Sequence, residues 1–161
     1  MPSLSSIDHR IHVVAQQIHA IRMAAYKQEA ELLGLRRFPP LERRVDDILG
    51  SSEEFIGVFQ DGTLAGVLSA CPDEEGRGIS ISSLVVHPAH QQRGLGQALV
   101  RAATERYLAS EITVQTAAAN VPALALYARL GFKEYRRWAF GSEPLELVKL
   151  SRSPAPVQSA A

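Results

Sequence analysis

Residues 84–99, LVVHPAHQQRGLGQAL, constrain this chain more than any other stretch of its sequence. An apolar, β-prone run from Ile79 to Val86 enters His87-Pro88, and a polar turn follows, Gln91-Gln92-Arg93-Gly94-Leu95-Gly96. Leu95, Ala98, Leu99 and Ala102 then share one helical face. A strand that passes through a glycine turn into a helix start builds an anion site. The amides of a first helical turn have no intrahelical acceptor, and the helix dipole favours negative charge beside them. Gly94 and Gly96 put no Cβ between the backbone and a bulky phosphate. Arg93 adds a positive charge, and the stretch reads as a pyrophosphate cradle.

Neither common nucleotide fingerprint fits. No Gly-Lys-Ser/Thr ending follows Gly94, and Leu99 stands where a G-x-G-x-x-G frame needs its third glycine. The frame is Gln91-x-x-Gly94-x-Gly96 after a strand ending Leu84-x-Val86-x-Pro88. It resembles the acyl-CoA-binding motif of the GNAT superfamily of N-acetyltransferases. A plain strand–turn–helix connection with helix-start glycines is the alternative reading of this segment alone. A second block, residues 111–133, carries the resemblance further. Ile112 to Thr116 is β-prone, Asn120 can cap a helix whose first turn accommodates Pro122, and Gly131 stops that helix after about Leu130. Leu126, Tyr127, Leu130, Gly131 and Phe132 resemble the family's Leu-Tyr-x-x-x-Gly-Phe ending. The likeness covers about residues 53–150.

The resemblance implies acetyl-CoA lying in a gap between two parallel strands that splay apart, here those ending near Val86 and beginning near Ile112. Leu84, Val85 and Val86 would then bind the pantetheine arm through unpaired backbone groups, as an added strand would. The diphosphate would meet the turn and helix start, involving Gln91, Gln92, Arg93, Gly94, Leu95, Gly96 and Gln97. Tyr127 would stand near the sulfur as general acid, and Asn120 would reach the cofactor or serve only as a helix cap. The implied reaction is direct acetyl transfer to a primary amine in a ternary complex. The alternative is a non-catalytic acyl-CoA-binding or regulatory module on the same fold.

An amine must lose a proton before it attacks. Many members carry a glutamate on the strand entering the cradle, but Ser80, Ser82 and Ser83 stand there in this chain. Glu29, Glu31, Glu74, Glu75 and His87 are the remaining candidates for the base, each also readable as a solvated surface group. The acceptor side would be walled by the N-terminal half, where Tyr26, Phe38, Pro39 and Pro40 fall near Glu29 and Glu31. Arg36-Arg37 and Arg43-Arg44 would attract an acidic acceptor or simply face solvent. No residue selects the acceptor.

The element order predicts an α/β fold of the α+β type. It has a mixed, mostly antiparallel central sheet of six to seven strands flanked by about four helices, with splayed parallel strands. Residues 7–14 read as a first strand or a helix lead-in. A helical stripe runs from Val14 to about Leu33, and a second helix spans Leu41 to Leu49. Strands are expected at Glu54 to Phe59, Thr63 to Ala70, Ile79 to Val86, 111–117, 132–139 and 145–150, with helices near 94–109 and 121–130. Residues 1–150 form one domain in this reading, and the small, proline-bearing 151–161 a flexible tail.

Seventeen basic and seventeen acidic residues balance to a formal net charge of zero, which gives no footprint for nucleic acid or an anionic membrane. No apolar run reaches spanning length, and the N-terminus lacks a signal-peptide pattern. The single cysteine, Cys71, excludes an internal disulfide and fits the cytoplasm. The pairs His9/His12 and His87/His90 lack the further ligands of a metal site, so no metal is expected. A homodimer through the C-terminal strands is possible by analogy with the superfamily.

Overall fold

The computed structural model describes residues 2–141 and 145–154. One sheet organises them. Its strands are β1 (Ser3–Ser6), β2 (Glu54–Gln60), β3 (Thr63–Pro72), β4 (Ile79–Val86), β5 (Ile112–Ala117), β6 (Lys133–Phe140) and β7 (Leu145–Arg152), in the order β1-β2-β3-β4-β5-β7-β6. Only β4 and β5 run parallel. Four α-helices are described: α1 (His12–Leu33), α2 (Val45–Leu49), α3 (Leu95–Arg106) and α4 (Val121–Arg129). The expected mixed sheet with about four helices is therefore the observed one.

Alternation along the strands sorts the core onto two faces. Phe55, Val67 and Val85 point to one face and pack with Ile18 and Ile21 of α1 and Ile48 of α2. Ile56, Val58 and Leu68 point to the other and meet Leu95, Leu99 and Val100 of α3, with Tyr127 of α4 and Phe132. Leu99 is fully buried, and its side chain contributes about 1.5–3 kcal/mol by leaving water. The Asp61-Gly62 turn has both central residues at positive φ, 52° and 78°, as a two-residue hairpin between β2 and β3 requires.

Three boundaries differ from the sequence reading. The first strand is Ser3–Ser6, ahead of the expected 7–14 stretch. All four of its residues are exposed, so no apolar alternation marked it; pairing with β2 defines it. The expected helix over 41–49 is broken. Pro39–Glu42 forms one 3-10 turn, Arg43 and Arg44 are extended, and α2 restarts at Val45, where the Asp47 carboxylate accepts the Arg44 N–H at 2.7 Å. β7 continues through Ser151 and Arg152, which pair with β5, two residues into the expected tail. Residues 155–161 of that tail lie outside the described residues.

Candidate active site

The parallel pair β4/β5 makes the site. Only Ile79, Ser80 and Ile81 pair with Ile112, Thr113 and Val114. This closed end is locked tightly. Ile79 N–H donates to Glu111 O at 2.9 Å, Arg77 pairs with Glu111 at 2.9 Å, and Gly78 sits at φ +85° where a Cβ would lie 2.3 Å from Glu111 O. A side chain at residue 78 would push the two strands apart at their root. Beyond Ile81 they diverge, because all of β5 pairs with β7 while β4 stays with β3. The β3/β4 register slips by one at this point: Ser69 faces Ser83, Ala70 faces Ile81, and Ser82 is the extra residue of a bulge. From Ser82 to Val86 the β4 edge toward β5 has no strand partner among the described residues.

The gap opens into two cavities that meet. The first, about 550 Å³, is walled by Tyr26, Phe38 and Pro40 on one side, by Ser80, Ser82 and Ser83 of β4, and by Gln115 and Thr116 of β5. The second, about 600 Å³, runs along Leu84, Val85 and Val86 to the start of α3. Glu29, Leu84, Asn120 and Ala123 border both.

At the far end of the second cavity, Gly94 is the N-cap of α3 at φ +75°, and a Cβ there would meet no protein atom within 4 Å. No side chain caps this helix, and its first turn carries no acid. Ala98 N–H is the first to find its acceptor, Gly94 O at 3.0 Å, so the amides of Leu95, Gly96 and Gln97 precede the helix ladder. These are the properties an anionic diphosphate needs. Gln91, Gln92, Gly94, Leu95, Gly96 and Gln97 all border the cavity. Arg93 is exposed and borders neither cavity. The Gln91 side chain is already engaged, donating to Gln28 Oε1 at 2.7 Å and to Val86 O at 3.3 Å, and so ties the turn to α1 and to the end of β4.

Tyr127 borders the first cavity near the junction. Its ring is 4% exposed and packs edge-on against Phe132 at 5.4 Å. Burial, and then the charge of Glu29, push its phenol well above the usual tyrosine range. Asn120 serves two ends at once. Its Oδ1 accepts the Ala123 N–H at 3.3 Å and caps α4, while its Nδ2 donates to Glu29 Oε1 at 3.4 Å. Burial raises the Glu29 carboxyl, and the Asn120 bond offsets part of that rise.

The other base candidates scatter. Glu74 borders the first cavity, and Glu31 is exposed away from both. Glu75 is paired with Arg136 at 2.7 Å, and His87 Nδ1 accepts the Ala89 N–H to start a 3-10 turn. Pro39 borders neither cavity, whereas Arg43 borders the first. Cys71 also borders it, as a thiol whose pKa is raised by burial and by Glu53. Below it, Asp73 accepts from Lys149 and Thr113, both at 2.9 Å. The sequence reading missed Pro122, Leu126 and Arg129 on the second cavity, and likewise Ala25, Gln28 and Leu32. Each trio lies at one-face helical spacing, a signal that was present.

The family model for the acetyltransferase (GNAT) family matches residues 15–132. The chain belongs to that family. Among curated relatives of this GNAT chain, UPF0157 protein YqkA of Bacillus subtilis is 35% identical over 129 residues, 80% of this chain and 37% of the relative. The chain spans between 29% and 44% of the length of the curated relatives it matches. Among solved structures, the ribosomal-protein-S18-alanine N-acetyltransferase of Escherichia coli superposes with a TM-score of 0.70 at 18% identity, covering all of both chains. Salmonella typhimurium yncA, solved with its cofactor acetyl-CoA, superposes at 0.74 and 16% identity, covering 100% of this chain and 98% of that one. The GNAT fold is thus shared from end to end.

Proposed function

We propose that this GNAT chain transfers an acetyl group from acetyl-CoA to a primary amine by direct transfer in a ternary complex. The observation that carries the reading is the junction: a donor-shaped cavity ending on uncapped helix amides meets an acceptor-shaped cavity beside Tyr127, Asn120 and Glu29. Acetyl-CoA, when bound, supplies an activated acetyl thioester. The amides of Leu95, Gly96 and Gln97 hold the diphosphate, helped by the open backbone at Gly94, with Gln91 and Gln92 shaping the turn. The β4 edge at Leu84, Val85 and Val86, which lacks a strand partner on the β5 side and meets the Gln91 side chain at Val86 O, receives the amide-bearing arm. Arg93, outside the cavity wall, contributes long-range charge rather than a contact. Asn120 positions Glu29, whose charge helps keep the Tyr127 hydroxyl protonated at the junction, where a departing sulfur needs a proton.

The acceptor cavity carries no single-sign charge, since Glu29, Asp73 and Glu74 share it with Arg43 and Lys149. The proposed setting is the cytoplasm, where a lone Cys71 stays reduced; no described helix is long and apolar enough to cross a membrane. A homodimer would form most simply along β6, which ends the sheet and exposes Phe140.

Calorimetric titration with acetyl-CoA, CoA and desulfo-CoA, followed by a thiol-release screen of amines, tests the reading. One-to-one binding with turnover is expected. Binding without turnover across the panel would assign the chain a non-catalytic acyl-CoA-binding role, and no binding would remove the donor site altogether.

A further inference from the structure

A buried polar network beneath the acceptor cavity is left unused by the roles above. Arg22 of α1 is 6% exposed and Ser69 of β3 fully buried. Arg22 Nη2 lies 3.0 Å from Ser69 Oγ, Ser69 Oγ lies 2.9 Å from Ser82 Oγ, and Ser82 Oγ bonds a Glu53 carboxylate oxygen. Ser51 Oγ holds the other Glu53 oxygen at 2.8 Å.

The chemistry of the ends fixes the direction of every proton. A guanidinium only donates, so Ser69 accepts from Arg22 and is left to give its own proton to Ser82. A carboxylate only accepts, so the Ser82 proton points to Glu53. One Ser82 lone pair then stays free. Ser82 is the bulge residue, it is exposed, and it lines the acceptor cavity, whereas Glu53 does not. Glu53 instead borders a separate surface hollow with Ser51 and His9.

We propose that Ser82 and Glu53 form the proton exit of the acceptor site, taking over the task of the carboxylate that β4 lacks. The inference rests on the acetyl-transfer reading. An acceptor ammonium donates a hydrogen bond to the free lone pair of Ser82 Oγ. Its proton passes to Ser82 Oγ as the Ser82 proton passes to Glu53, and the nitrogen keeps the electron pair with which it attacks. The Glu53 carboxylic acid then gives its proton to water in the hollow. Arg22 and Ser69 are positioning residues that orient the Ser82 hydroxyl and balance the charge. The ionisable groups around Glu53 are Arg22 of α1, Cys71 of β3, and Asp8, His9, Arg10, Glu54 and Arg106 by the hollow. Burial acts to raise the Glu53 carboxyl, but the hydroxyls and Arg22 outweigh it and hold it below the usual range. The carboxylate is therefore ionised at neutral pH.

Two measurements test the exit. Carbon-13 NMR titration of Glu53 in the unliganded chain should show its pKa rising in Ser82→Ala; an unmoved titration overturns the hydrogen-bond chain. Thiol release from acetyl-CoA is then compared between ethylamine, protonated at neutral pH, and hydroxylamine, which is already free base. Ser82→Ala and Glu53→Gln should slow ethylamine about 100-fold and leave hydroxylamine at the wild-type rate, while Ser82→Thr restores ethylamine. Equal slowing of both amines would make the network purely structural and overturn the proposal. Where the wild type turns over neither, an amine from the thiol-release screen replaces them, compared below and above its own pKa; no turnover with any amine of the screen counts against acetyl transfer itself, and the carboxylate titration still decides whether the hydrogen-bond chain exists.

Discussion

The two cavities that meet at Asn120 are built by opposite means. The donor cavity is mainly a backbone object: a free strand edge at Leu84 to Val86, a turn, and the uncapped amides of α3 lie within fourteen consecutive residues. The acceptor cavity is a side-chain object, assembled from residues as far apart as Tyr26 and Lys149. Backbone recognition tolerates any side chain that leaves the main chain open, so it is written in glycines and spacing. Side-chain recognition depends on which distant segments the sheet brings together, and it can change without disturbing the cradle. A fold divided this way keeps one donor while its acceptor varies.

The sharpest break of this comparison is Gly94→Glu. At φ +75° a non-glycine residue costs about 1–2 kcal/mol, yet its Cβ meets no protein atom within 4 Å, so the fold should survive. A carboxylate placed at the helix N-cap should reduce acetyl-CoA binding to below calorimetric detection. Unchanged affinity would remove the cradle. Next in size is Tyr127→Phe. The ring keeps its packing against Phe132, so melting temperature and acetyl-CoA affinity should hold while kcat falls about 100-fold. An unaltered kcat would free Tyr127 from the role of acid.

The same division explains what the sequence could reveal. The strand–turn–helix geometry, the splayed pair and the α4 cap were legible because each is a local pattern: alternation into a turn, Gln91-x-x-Gly94-x-Gly96, Asn120 before Pro122. Arg93 borders neither cavity, because a charge inside a motif says nothing of where its side chain exits. Ser82 and Glu53 stand 29 positions apart, and only the one-residue slip of β4 against β3 brings the hydroxyl to the carboxylate. Nothing in Ser80-Ile81-Ser82-Ser83 announces a bulge. β1 was invisible for a related reason, since four exposed residues become a strand only by pairing with β2.

Acid should separate the two halves. Burial alone would raise the Asp73 carboxyl, but hydrogen bonds from Lys149, Thr113 and the amides of Arg77 and Glu75 hold it at about 2, against an ordinary 3.8. A folded-state pKa below the unfolded one stabilises the native chain above pH 3.8, and that contribution fades as pH falls toward 2. It amounts to about 2 kcal/mol. Thermal melts between pH 5 and pH 2 should lose at least that much in the wild type, since Glu53 and Glu111 are lowered as well, and less in Lys149→Met, which starts from lower stability because the buried Asp73 has lost its cation. Hydrogen exchange should show the loosening first around the β3–β4 turn, with the hydrogen-bonded amides of α3 from Ala98 onward unaffected. Parallel loss in both places would mean that the two halves unfold as one unit.

The smallest effect tests the residue where the halves join. Asn120 caps α4 through Oδ1 and holds Glu29 through Nδ2, and two substitutions pull these duties apart. Asn120→Ala removes both, and the lost cap should cost about 1 kcal/mol, or roughly 2–4 °C in a chain of this size. Asn120→Asp keeps an oxygen for the Ala123 amide and adds favourable charge at a helix N-terminus, so its melting temperature should match the wild type. It also sets a carboxylate against Glu29, so the pKa of Glu29, followed by carbon-13 NMR, should rise further in Asp than in Ala. If kcat tracks the Glu29 titration across the three proteins, Asn120 acts on the reaction through Glu29. If kcat instead tracks the melting temperature, the cap is its whole contribution, and the junction owes its order to α4 alone.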